Sequence, residues 1–277
     1  MITFENQERL RKIATLITLL LPISFVFFPY FWMTLSSFSP EKDLFSDHMI
    51  PSYLTLNHYD KLFQRTIFGR QFLNSSIVAV LATMICLTAS CLAGYSLSRF
   101  RHRWNFGKVM LIIYTIPPVL LIIPILLVFT KLRLTNTYMG LALGHSTFML
   151  PFSSLIMAAY FNNIPPTLDE AAMVDGMSRI GAMVRIALPL ALPGIAATGV
   201  IIFANSWNDY LFAYTLIADK GMQTLPVGVA ELAEGQTLEW GMLMSAAVMI
   251  TAPMLVFFLL IQKKLLAGFI FAVTGEK

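Results

Sequence analysis

Apolar residues in this chain come in long uninterrupted blocks, not in the one-sided stripes of a soluble helix or the alternation of a strand. Asp, Glu, Lys and Arg are missing from residues 13–40, 71–98, 109–130, 134–168, 186–208 and 240–262. A bilayer-crossing helix needs about 20 mostly apolar residues, and a charge at mid-membrane costs roughly 2.5–3.5 kcal/mol on the insertion scale. Each interval therefore predicts one helix; in the fourth and longest, the span is placed near residues 139–161. The fold class is an all-α membrane protein with six transmembrane helices. The organisation read from the pattern is an N-terminal tail (1–12), a first transmembrane helix (13–33) and an external loop (34–70). A core of five helices follows (71–263), with a loop at 162–188, and then a C-terminal tail (264–277).

Composition agrees. Hydrophobic residues make up 57% of the 277 and charged ones only 12%, about half the share in a soluble domain. The mean hydropathy is +0.72. This excludes a disordered chain, a nucleic-acid-binding module and an ordinary soluble enzyme. The net charge of +4 reports topology. Arg9, Arg11 and Lys12, then Arg99, Arg101, Arg103 and Lys108, then Arg179 and Arg185, then Lys263, Lys264 and Lys277 fall on one side of a six-span layout. The other side has fewer basic residues on longer segments, so the positive-inside rule puts both termini in the cytoplasm. Lys131 and Arg133 are a local exception on an outward loop.

Several segments have readable physics. The first apolar block ends in Phe27-Phe28-Pro29-Tyr30-Phe31-Trp32 with no small-residue cleavage site, which favours an uncleaved anchor over a signal peptide. The loop at 34–70 carries turn signals and a short helix near residues 56–63. The third span contains Ile116-Pro117-Pro118 and Pro124; each proline removes a backbone donor, so a broken helix facing protein or water is predicted. Gly140 and Gly144 form a G-x-x-x-G that allows close helix packing. The acidic segment 209–239 reads either as a solvated loop or as a docking surface. Cys86 and Cys91 lie five residues apart on one helix and are read as unpaired, buried small residues. Internal repeats and low-complexity tracts are absent.

The most informative stretch is the fourth loop, residues 165–193. Thr167 and Glu170 have capping-box spacing, which starts a helix at Leu168. Asp169 and Glu170 suit the positive helix end. Gly176 can stop that helix in a left-handed conformation, and Ser178 can cap a second one running to about Leu188. Pro189 marks a bend before the fifth span. Leu168, Ala171 and Ala172 line one face of this hinged pair, and Ile180, Met183, Val184 and Ala187 another. The loop reads either as a knob covered by another protein's groove or as an amphipathic helix on the membrane surface.

Glu170-Ala171-Ala172, Asp175-Gly176, Ile186, Leu188-Pro189 and Pro193 resemble the EAA loop of ABC-importer permeases. Ser206-Trp207-Asn208-Asp209-Tyr210-Leu211 resembles the end of the fifth span in their carbohydrate branch, and Thr224-Leu225-Pro226-Val227-Gly228 with Trp240-Gly241 resembles its last external loop. The likeness covers nearly the whole chain and is closest to the smaller permease subunit of maltose-type importers; the ending Phe271-Ala272-Val273-Thr274-Gly275-Glu276-Lys277 departs from the family's tail. The resemblance implies a type I ABC importer permease fold in a bacterial cytoplasmic (inner) membrane. It implies a second permease subunit, two cytoplasmic ATPase subunits that bind ATP and Mg, and an extracytoplasmic substrate-binding protein. It also implies a translocation path for a sugar or oligosaccharide. The ATPase-coupling residues it implies are Glu170, Ala171, Ala172, Asp175, Gly176, Arg179, Ile186, Leu188 and Pro189. The candidate substrate path is Asn205, Trp207, Asn208, Asp209 and Tyr210, whose alternative reading is an interfacial belt at a helix end.

Gly107-Lys108 lacks the rest of a phosphate loop, so the chain has no ATP site or cofactor of its own, and no catalytic or metal-binding residues are assigned. His48, His58, His102 and His145 are scattered. His145, inside the fourth span, reads as hydrogen-bonded packing before it reads as a proton relay. Competing functions are a permease for a non-sugar solute and an ion-coupled carrier; the carrier predicts acidic residues within spans, which these spans lack. Lipid is an expected contact and nucleic acid is not.

Overall fold

The computed structural model describes residues 4–47, 50–100, 106–235 and 239–274. His48, Arg101, His102, Arg103 and Lys277 lie outside the described residues, as do the side chains of Arg9, Arg11, Lys12, Lys263 and Lys264. The described residues are almost wholly helical. Four helices are long and apolar enough to cross a membrane, and two bent pairs bring the total to six if each pair is one span.

The chain divides into two compact units. The first comprises residues 1–66 and 232–251. Helix α1 (Phe4–Ser37) is longer than the expected 13–33 stretch and carries Pro22 and Pro29 inside it. Its apolar side chains from Leu16 to Trp32 are exposed on every side, as a lipid- or subunit-facing helix requires. Helix α2 (Asn57–Arg65) is the short helix expected near 56–63. His58 is buried on it, and its Nε2 pairs with the Ser39 carbonyl at 2.8 Å. Lys61 Nζ donates to Glu239 Oε2 at 2.9 Å and to Glu41 Oε2 at 3.3 Å, and Arg65 Nη1 to Glu239 Oε1 at 3.2 Å. The hydrogen bond to Glu239 raises the Lys61 pKa against the opposing effect of burial; the same bond lowers that of Glu239.

The second unit comprises residues 67–231 and 252–277. Its centre is the pair α3 (Phe68–Arg99) and α6 (Tyr138–Asn162). Gly94 makes their approach possible: a Cβ there would sit 2.6 Å from Met157 Cβ and 2.8 Å from the Ala158 nitrogen. Between them in sequence come α4 (Phe106–Tyr114) and α5 (Pro118–Lys131), bent by 97°. The break falls at Ile116-Pro117-Pro118 as the prolines predict, because neither proline has an N–H with which to continue α4, and Pro118 starts a new helix. Within this chain α4 buries none of its residues and α5 only Ile122 and Phe129. The G-x-x-x-G works differently. A Cβ at Gly140 would meet its own helix start, Leu134 and Thr137, and only Gly144 faces neighbours, Leu216 and Phe212.

Beyond α6 come α7 (Pro166–Val174), α8 (Arg179–Leu190) and α9 (Leu192–Trp207), with an 80° bend between the last two. Segment 209–235 is not a solvated loop. It forms α10 (Leu211–Leu216), a short turn at Lys220–Met222 and α11 (Leu225–Glu234), and it buries Phe212, Leu216, Leu225 and Val227. Asn74 ties it to α3, donating from Nδ2 to the Gln223 carbonyl at 2.8 Å. Helix α12 (Trp240–Thr274) closes the described chain. Both cysteines are free and buried, as expected.

Candidate functional site: a hinged loop and a polar hollow

The loop's first helix begins two residues earlier than its capping pattern predicts. Helix α7 starts at Pro166, and no side chain caps it. Thr167 and Glu170 therefore form no capping box; proline at the first helical position, with φ already helical and no N–H to satisfy, replaces it. The end of α7 follows expectation. Gly176 has φ +90°, its N–H bonds the Met173 carbonyl at 3.1 Å, and that of Met177 bonds the Ala172 carbonyl at 3.0 Å. This is the paired arrangement that closes a helix over a left-handed residue. Ser178 then caps α8, its Oγ accepting from the Gly181 N–H at 3.1 Å. Helix α8 contains a wider π turn at Met183–Ala187 and continues past Pro189, so the bend expected there falls at Ala191.

The residue that fastens the loop to the bundle is Asp169, which is not among the coupling residues that the resemblance implies. Asp169 is buried and accepts from Arg99 Nε at 2.6 Å and from Tyr95 Oη at 3.1 Å. Arg99 also donates through Nη1 to the Phe161 carbonyl at 3.0 Å. Glu170 and Ala171 are exposed, and Ala172 is buried beside Asp169. Asp175 and Pro189 are exposed, and Ile186 and Leu188 half-buried. Arg179 lies 4.8 Å over the Phe100 ring. Met183, Ala187 and Ala191 pack with Cys91, Tyr95, Met157 and Phe161, holding one side of α8 to the bundle. The predicted apolar faces are thereby redrawn. Met183 and Ala187 turn inward, while Leu168, Val174, Ile180 and Val184 stay exposed, Val174 at 88% and Ile180 at 72%.

The second cluster sits where α9 ends. Trp207, read from sequence as a candidate substrate contact, is instead core: it is 1% exposed, with its ring edge-on to Phe72 at 5.5 Å and stacked on Phe203 at 5.7 Å. Asp209 Oδ2 accepts from the Phe212 and Ala213 N–H groups at 3.0 and 3.1 Å, starting α10. The same oxygen lies 3.0 Å from His145 Nε2, while His145 Nδ1 lies 2.7 Å from Ser206 Oγ. One tautomer, protonated on Nε2, satisfies both contacts, so His145 has the hydrogen-bonded packing role expected of it. Asn205, Asn208, Asp209 and Tyr210, with Ala204 and Leu211, line an open hollow of about 490 Å³. A smaller cavity of about 150 Å³ shares Asn205 and Asp209 and reaches Pro118 and His145. The structure thus brings four of the five predicted path residues to one opening and withdraws the fifth.

Two ingredients escaped the sequence. Arg99 and Asp169 are 70 residues apart and lie on different elements, and no local spacing links them. His145, Ser206 and Asp209 meet only through helix packing. Among the described residues, no group of three or more His, Cys, Asp or Glu could hold a metal ion.

The family described as "Binding-protein-dependent transport system inner membrane component" matches residues 86–270. The chain belongs to this family. It is a transport permease subunit of the inner membrane and not an enzyme. It is 32% identical over 269 residues to the inner membrane ABC transporter permease protein YcjP of Escherichia coli K12, covering 95% of this chain and 96% of that one. It is 31% identical over 272 residues to the trehalose/maltose transport system permease protein MalG of Thermococcus litoralis, with the same shares covered. A solved bacterial ABC transporter involved in import of the acidic polysaccharide alginate has the same fold, with TM-score 0.80 at 20% identity over 93% of this chain and 97% of that one. Family membership removes the ion-coupled carrier from consideration.

Proposed function

We propose that this permease subunit conducts a sugar or oligosaccharide and is driven by ATPases that grip α7 and α8. The carrying observation is the hinged pair itself. It is fastened to the bundle on one side through Asp169 and Met183, and it presents Leu168, Val174, Ile180 and Val184 bare on the other. Exposed apolar side chains on a short, tethered, polar-flanked projection suit a protein groove; Glu170, Ala171, Asp175 and Gly176 lie on the same exposed stretch. The loop then faces the cytoplasm, as do both termini. Two ATPase subunits bind ATP and Mg, and their closure pulls the loop and rocks α3 and α6. Such coupling needs a loop that contacts open and closed ATPase differently.

Relatives support the solute class. Similar permeases are described as serving trehalose/maltose in Thermococcus litoralis, trehalose in Mycobacterium tuberculosis and arabinooligosaccharides in Halalkalibacterium halodurans. A solved alginate transporter is described in complex with a pentasaccharide-bound periplasmic protein. A second permease and an extracytoplasmic binding protein complete the assembly proposed here. The test is reconstitution: this chain with its partner permease and ATPases in proteoliposomes, loaded binding protein outside, and vanadate as inhibitor. Vanadate-sensitive accumulation of sugar is expected. Sugar uptake that persists without any ATPase overturns the proposal.

A further inference from the structure

The hollow at the end of α9 has a chemical polarity that bears on which solutes pass. Asn205 Nδ2 donates to the Ile201 carbonyl at 2.8 Å and Asn208 Nδ2 to the Ala204 carbonyl at 2.9 Å. Each amide thereby spends one of its two N–H donors on its own helix and keeps the other, while its Oδ1 stays uncommitted. Asp209 spends Oδ2 on His145, Phe212 and Ala213 and keeps Oδ1. These three side chains therefore bring three uncommitted acceptor oxygens and two amide N–H donors to one hollow. Its six lining residues include no Lys, Arg or His, and the Asp209 carboxylate is the only formal charge among them.

We propose that this hollow is a solute subsite for neutral, hydroxyl-rich molecules that disfavours acidic sugars. Sugar hydroxyls donate to Oδ1 of Asn205, Asn208 and Asp209. A uronate brought to the same place meets a carboxylate with no cation beside it in the lining. The inference rests on the sugar-import reading for its solute, but the charge character of the hollow is testable without any solute.

The experiment uses the assembled transporter in membrane vesicles, with Cys86→Ala and Cys91→Ala as background and Asn208→Cys as reporter. A cationic trimethylammonium thiosulfonate and an anionic sulfonate thiosulfonate are applied separately, and their rate ratio is divided by the ratio on free cysteine. The cationic reagent is expected to react about tenfold faster, the factor for two unit charges of difference about 6 Å from one carboxylate in water-like surroundings. Asn205→Asp should raise that ratio, and Asp209→Asn should bring it close to one. If Asp209→Asn fails to fold because α10 loses its start, Asn205→Asp still decides. Equal rates, or faster anionic labelling, overturn the proposal while leaving sugar import untouched. In a second arm, binding protein loaded with a neutral oligosaccharide should slow labelling, and a uronate oligosaccharide should not. Protection by the uronate alone overturns the charge selectivity.

Discussion

Arg99 Nε donates to Asp169 Oδ2 at 2.6 Å, with both side chains about 95% shielded from solvent. The contact joins the last turn of α3 to the first turn of α7, so the loop cannot move without pulling on the central helix. Burying two charges is costly, and removing one partner strands the other at about 3–5 kcal/mol. Asp169→Ala and Arg99→Ala are each expected to lower the thermal inactivation midpoint of the purified assembly. The double variant should lose less than the two singles combined, because neither charge is then left alone. Additive losses in that cycle would mean that the two residues are not energetically joined.

Gly176 sits at φ +90°, and a Cβ placed there would meet nothing within 4 Å, so its constraint is backbone and not space. A left-handed residue with a Cβ costs about 1–2 kcal/mol, and proline cannot reach that φ at all. Gly176→Ala should insert normally and transport at a reduced rate. Gly176→Pro should insert and not transport, as judged by membrane fractionation beside uptake. Wild-type uptake by Gly176→Pro would remove the hinge from the mechanism.

Glu170 is exposed one residue away from the buried Asp169. Glu170→Lys is therefore expected to leave the unfolding free energy of the isolated subunit within about 0.5 kcal/mol of wild type, the usual range for surface changes. It should nevertheless abolish co-purification of the ATPase. Retained co-purification would show that the grip lies elsewhere on α7 and α8.

Trp207 fills space between Phe72 and Phe203. Trp207→Ala should cost about 3–5 kcal/mol as a large core truncation, with loss of folded protein on size exclusion. Asn205→Ala should leave folding intact and weaken transport. A Trp207→Ala protein as stable as wild type would contradict its core position.

The Lys61–Glu239 pair sets a pH window for the junction of α2 with the start of α12. Glu239 titrates below its ordinary 4.5 because Lys61 hydrogen-bonds it; its stabilisation is full above that value and fades as pH falls through the lowered one. Lys61 titrates above 10.5, chiefly because Glu239 holds its proton; its stabilisation is full below that value and fades as pH rises past the raised one. Hydrogen exchange of α2 amides should be slowest between these limits and speed up at both ends. Lys61→Met should flatten the profile.

Much of this architecture is written locally. The six apolar blocks, the proline break at 116–118, the glycine stop at 176 and the Ser178 cap follow from the cost of charge in lipid and the backbone limits of proline and glycine. None of these depends on a distant partner. The same local logic misjudged α7, where Pro166 at the first helical position displaced the Thr167–Glu170 cap.

Which side of a helix becomes interior was decided only by packing. Adjacent residues point about 100° apart on a helix, so Asp169 goes inward to Arg99 while Glu170 stays out, and Trp207 enters the core while Asn208 faces the hollow. The residue types alone are equally compatible with either assignment, because the neighbours that choose between them include Arg99 and Phe72 on α3, 70 or more positions away.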